Sequence, residues 1–146
     1  AILTYWPYQA KLLTDDNFQK IIDIKDILKE LGIPDGMPVI GWVFKEKWGG
    51  KSADILKSFL KSSDEAKKLM LESDDVWKDV RPFMNAKNDK LFVNLRDIYR
   101  EGIPRGKFSE TQLEGSKKLY SILSKIGGKD LVGKATELSP GTFWRN

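Results

Sequence analysis

The sequence contains no cysteine and no histidine. Without cysteine there is no disulfide, zinc–thiolate site or thiol nucleophile, and the redox compartment is left open. Without histidine, the imidazole general base, the Ser-His-Asp arrangement and most zinc sites fall away too. No catalytic residue, metal site or cofactor is expected. No apolar run approaches the roughly 20 residues that a membrane-spanning helix needs, and the first residues lack the basic, apolar and small-residue succession of a signal peptide. That does not fix a compartment. A phosphate-cradling loop is missing as well. Gly49, Gly50, Lys51 and Ser52 read GGKS, but a GxxxxGK[ST] loop would need glycine where Lys45 stands. Asp74 and Asp75 are the one adjacent carboxylate pair considered; neighbours on a helix point in different directions, so they read as a cap and a first-turn charge.

What is present is an ordinary globular balance: 146 residues, 40% hydrophobic and 32% charged, enough for one core. The 25 Lys and Arg outnumber the 21 Asp and Glu by four, but the signs alternate. Lys45, Glu46 and Lys47 do so, and Arg96, Arg100, Arg105 and Lys107 lie close in sequence to Asp97 and Glu101. Mixed charge of this kind makes a solvated face with a local field, and no nucleic-acid partner is expected.

Patterning divides the chain into an α/β beginning and a helical remainder. Ala1 to Leu3 reads as a buried strand, followed by Tyr5, Trp6, Pro7 and Tyr8, with Pro7 suited to the first turn of a helix over Tyr8 to Leu13. Phe18 to Ile24 has a strand-like centre. Lys25 to Leu31 forms a short amphipathic helix stopped by Gly32, and Ile33 to Met37 is turn-rich. Val39 to Phe44 is a second strand, apolar on both faces, which implies a covered sheet. Ser52 caps a helix with Leu56, Phe59, Leu60 and Ser63 inside. Ala66, Leu69 and Met70 either extend it or belong to a second helix begun by the Ser62/Glu65 capping-box pattern. Val76, Trp77, Val80 and Phe83 make a short face near Pro82. The clearest helical stripe is Leu91, Phe92, Leu95, Ile98 and Tyr99, with Gly102 and Pro104 as stops. Ser109 and Gln112 then open a last helix that ends at Gly127 and Gly128. No fixed period recurs, which disfavours a solenoid.

Four stretches, AILTYWPYQAKL, PVIGWVFKEKW at Pro38 to Trp48, YREGIPRGKF at Tyr99 to Phe108 and IGGKDLVGKATELSPGTFW at Ile126 to Trp144, resemble the later half of periplasmic solute-binding proteins. The type is that of the nitrate, sulfonate and taurine receptors, which share a fold with thiamine-pyrimidine-precursor-binding proteins. The resemblance implies an incomplete α/β lobe of the type II periplasmic-binding-protein class. Residues 1–37 would end the second lobe and carry the hinge return, and residues 38–146 would complete the first. It implies capture of a small solute between two lobes and delivery to a membrane permease of an ABC importer. It also implies a periplasmic or extracellular location, with a lipid anchor as one form, and an amino-terminal half supplied from elsewhere in the same protein. The strands Ile2 to Tyr5 and Val39 to Phe44 would then need neighbours outside the sequence. Related enzymes of thiamine-pyrimidine synthesis consume a histidine of their own and use a cysteine-bearing segment; this chain has neither, so binding rather than catalysis is expected.

Within that frame the candidate ligand contacts are Tyr5 and Trp6, at the carboxyl end of a strand, then Trp42 and Phe44 on the returning strand. A core-capping aromatic corner is the competing reading, and for Trp42 and Phe44 core packing is favoured. Trp77, Phe83, Tyr99 and Tyr120 are expected in the core or at helix contacts, with Phe143 and Trp144 pinning the tail. A helical protein-interaction module is the alternative function. It would bury its aromatics, whereas a receptor piece would expose an apolar surface.

Overall fold

The computed structural model describes residues 1–37, 39–106 and 108–144. The helices are α1 (Trp6–Leu12), α2 (Ile24–Glu30), α3 (Glu46–Lys51), α4 (Ala53–Glu72), α5 (Asp75–Val80), α6 (Asp89–Gly102) and α7 (Glu110–Val132), with a 3₁₀ turn at Arg81–Phe83. Among the described residues there is no strand, which corrects the expected α/β lobe. Residues 1–5, 18–23 and 39–45, where strands were expected, are irregular apart from bends, and Pro38 lies outside the described residues. The physical reason is that apolar, β-prone side chains do not make a strand alone. A neighbouring strand must take up the backbone N–H and C=O groups in a ladder, and no ladder forms among the described residues.

One unit comprises Ala1–Lys20 and Trp42–Ile103. Pro7 falls in the first turn of α1, where its missing N–H costs nothing. α1 packs on α6 through the fully buried Ala10, whose carbonyl accepts from Asn94 Nδ2 at 3.1 Å. A Lys90–Asp16 ion pair at 2.7 Å lies between α6 and the loop after α1. α4 is one continuous helix of 20 residues, so Ser62 and Glu65 do not divide it. Ser52 occupies its N-cap position without a side-chain cap bond, since the same residue ends α3. α6 follows its sequence pattern: Asn88 Oδ1 accepts from the Leu91 N–H at 2.8 Å, and Phe92 and Leu95 are buried. Phe83, expected to pack, is instead 83% exposed, because the 3₁₀ turn at Pro82 takes it off the face that buries Trp77.

The other unit comprises Ile21–Gly41 and Pro104–Asn146. α2 begins with a reciprocal Asp23/Asp26 capping box. It ends in a Schellman motif, the Gly32 N–H donating to Lys29 O and the Ile33 N–H to Leu28 O, with Gly32 at φ 65°. Buried Ile33 and the ring of Pro34 lie against Gly115 of α7. A Cβ at that glycine would stand 2.6 Å from Pro34 Cδ. Ser109 and Gln112 form the expected capping box. α7 does not stop at Gly127; Gly128 adopts φ 55° and ψ −149°, which breaks the regular helix before a last stretch to Val132. The Tyr120 hydroxyl donates to Val132 O at 3.1 Å, and Phe143 packs on Phe108 with centroids 4.6 Å apart. No helix among the described residues is long and apolar enough to cross a membrane.

Candidate functional site

The four candidate ligand contacts, Tyr5, Trp6, Trp42 and Phe44, all fall in the unit that holds α1, α3, α4, α5 and α6, where each meets a different ring. Tyr5 is the N-cap residue of α1 and stands edge-on to Tyr8 at 4.9 Å. A hydrogen bond with the Tyr8 side chain, aided by some loss of hydration, pushes the Tyr5 phenol above its ordinary pKa. Tyr5 remains 64% exposed. Trp6, the next residue, turns the other way. Its ring is edge-on to Tyr99 of α6 at 5.6 Å, and Tyr99 is edge-on to Trp77 at the same distance. Trp6 therefore starts a row of three rings that ends in Trp77, the most deeply buried large side chain, at 1% exposure. This is the core-capping role for Trp6, with one edge of the ring still open.

Trp42 is 61% exposed and edge-on to Phe59 of α4 at 5.0 Å, while half-buried Phe44 stands 6.1 Å from Trp48 of α3. Neither is on a strand, so the expected alternation of sheet and cleft faces does not apply. Val43, between them in sequence, is 96% exposed, and Leu3, just before Tyr5, is 98% exposed. Apolar groups left in water at both ends of this series are poised to be covered by something else.

The inner end of the aromatic row is closed by charges that sequence reading had assigned to the surface. Arg100 Nε donates to Met70 O at 2.7 Å and its Nη2 to Ser73 O at 3.0 Å, satisfying carbonyls at the end of α4. Its Nη1 meets Asp74 Oδ1 at 2.6 Å, and Arg96 Nη1 meets the other oxygen at 3.3 Å. The Trp77 indole N–H also donates to Met70 O, at 2.8 Å, and the Arg100 guanidinium lies 5.5 Å from the indole centroid. Arg100, with help from Arg96 and Lys78, holds the Asp74 carboxyl below the usual carboxylate range. Asp74 does occupy the N-cap position of α5, but its side chain caps nothing; it is committed to the two arginines. Asp75 is the first-turn charge and pairs with Lys78 at 2.6 Å. Arg96 Nε does pair with its neighbour Asp97 at 2.7 Å, as local spacing suggests, but sequence separation hid the rest of the joint, because Arg100 and Met70 are far apart in the chain. Lys107 lies outside the described residues.

Chemically, the exposed rings of Tyr5 and Trp42 can stack on a planar or apolar group, and the Arg96–Arg100–Asp74 joint can hold three helices together. Among the described residues no group of three His, Cys, Asp or Glu is placed to hold a metal ion. No family model matches the chain, and no curated protein matches it.

Proposed function

We propose that this chain belongs to the solute-capturing component of an ABC import system, binding a small molecule without transforming it and handing it to a membrane permease. The resemblance in the four sequence stretches motivates the reading. The observation that carries it is the exposure of Tyr5, Trp42, Leu3 and Val43 in segments that form no strand among the described residues. A self-sufficient helical module would bury such groups; a receptor piece leaves them out where the remainder of the receptor covers them. In this reading the amino-terminal half of the same protein is that cover, the solute lies against the Tyr5 and Trp42 rings, and the location is periplasmic or extracellular.

The test is titration calorimetry on the polypeptide encoded by the complete reading frame, with nitrate, taurine and a hydroxymethylpyrimidine as probes. One of them is expected to bind unchanged, and Tyr5→Ala or Trp42→Ala to weaken it by about 1–3 kcal/mol if the ring is a stacking wall. Absence of binding to all three, or affinity untouched by both variants with the fold intact, would remove these residues from the site. The helical architecture favours a second reading, a protein-interaction module. It predicts a stable complex with a protein and no small-solute heat.

A further inference from the structure

The loop between the 3₁₀ turn and α6 carries a feature that the aromatic site does not use. Lys78, Arg81, Pro82, Asn85, Ala86 and Lys87 line a shallow depression of about 550 Å³ that is widely open to solvent. Three of these six side chains are cationic and none is acidic. Lys78 pairs with Asp75 at 2.6 Å and Arg81 with Asp89 at 2.5 Å. Both carboxylates are more than four-fifths exposed, so these are weak, solvent-screened pairs that an incoming polyanion can displace. Lys87 makes no ion pair among the described residues.

The backbone adds a donor of its own. Met84 is right-handed, at φ −86° and ψ −8°, and the next residue, Asn85, has φ 51°, the one positive φ outside glycine among the described residues. A right-handed residue followed by a left-handed one turns successive N–H groups toward one concave point, an arrangement that receives anions. The Met84 N–H is spent on Arg81 O at 3.1 Å, and the turn at Met84 and Asn85 leads the Ala86 N–H back toward the carbonyls of the 3₁₀ turn, which leaves the Asn85 N–H facing outward. Asparagine is the side chain that tolerates this conformation best after glycine. The volume also falls in the range of small-molecule sites, about 300–1,000 Å³.

We propose that this depression binds a small polyanion with linked oxyanion groups, of the diphosphate class, through Lys78, Arg81, Lys87 and the Asn85 amide. The proposal is independent of the solute-receptor reading, since it uses none of Tyr5, Trp6, Trp42 or Phe44. Sodium pyrophosphate, with orthophosphate as the lower-charge probe, is titrated into the isotopically labelled chain at low ionic strength. Amide spectra and calorimetry are recorded together. Expected are a shift of the Asn85 amide and tighter binding of pyrophosphate than orthophosphate. Lys87→Glu should weaken pyrophosphate by about fivefold or more, because it removes one attraction and adds one repulsion. The control is Lys57→Glu, an equal charge change at an exposed position in α4, roughly 20 Å along that helix from Met70, where α5's Trp77 docks. It should change affinity less than about twofold. An unmoved Asn85 amide, or equal weakening by the two variants, would overturn the proposal in favour of diffuse attraction to a basic chain.

Discussion

The joint of α4, α5 and α6 and the extended stretches before α1 and α3 are both rich in aromatic side chains, yet their fates differ. At the joint, Trp77 is 1% exposed and its indole N–H is satisfied by Met70 O. In the extended stretches, Tyr5 and Trp42 lie mostly in water even though each touches another ring. Ring contact alone does not bury a residue. Burial follows where the polar groups brought in with the ring also find partners, and Arg100 supplies those by closing the carbonyl end of α4. The stretches before α1 and α3 have apolar side chains and, among the described residues, no strand ladder to hold them.

The most damaging way to break the contrast is to empty its buried side. Trp77→Ala is expected to cost about 3–5 kcal/mol, a large part of the stability of a domain this size. Urea denaturation followed by circular dichroism measures it. Trp77→Phe keeps a ring, and Met70 O, having lost the indole donor, still accepts from Arg100 Nε, so the cost should be distinctly less. A loss below about 1 kcal/mol for the alanine variant would mean that the joint is not where the unit's stability resides.

The next largest effects come from removing close fits. Arg100→Leu takes the guanidinium donor from Ser73 O and leaves Met70 O with the Trp77 indole and Asp74 with Arg96, at an expected cost of about 1–3 kcal/mol. Gly115→Ala, in the unit that holds α2 and α7, drives a methyl group into Pro34 and should cost a similar amount, about 1–3 kcal/mol. The pair sharpens the comparison, because one loss is polar and the other steric. Only the Arg100 variant should alter the dependence of stability on pH.

That dependence has a definite sign. The Asp74 carboxyl is held below its ordinary value, chiefly by Arg100, and the Asp16 carboxyl is held down by Lys90. A group whose folded pKa is depressed contributes stability above its unfolded pKa and loses it as pH falls through the folded value. Stability should therefore decline on acidification below the ordinary carboxylate range, and Asp74→Asn should flatten the decline. Both carboxylates are exposed, so the effect is smaller than those above and shrinks with added salt. Urea midpoints at neutral and acid pH, with and without salt, check it.

The helices were legible in the sequence because their signals are local. Asn88, Gly102 and the Leu91-to-Tyr99 stripe delimit α6, Gly32 ends α2, and Ser109 with Gln112 opens α7, all within a few residues of one another. The strands were not, because a strand is decided by what lies beside it. Val39 to Phe44 has the composition of one and lacks the neighbour. The candidate site divides the same way. The aromatic corner could be read from Tyr5 to Tyr8, but the direction in which Trp6 turns is set by Tyr99, far along the chain. Arg100 was visible only as a charge, since its acceptors are backbone carbonyls that no composition reveals.

The smallest expected change tests the exposed side of the comparison. Leu3 and Val43 are almost wholly in water, so Leu3→Ser and Val43→Ser remove no packing and should move stability by no more than about 0.5 kcal/mol. Their effect belongs in association instead. If these side chains form a surface that another polypeptide covers, the isolated chain should self-associate at high concentration, and the double serine variant should do so less. Sedimentation velocity over a concentration series measures this while urea melts confirm the fold. A stability loss above about 1 kcal/mol would show that Leu3 and Val43 are packed against this chain in solution, and the contrast between the buried joint and the open stretches would then collapse.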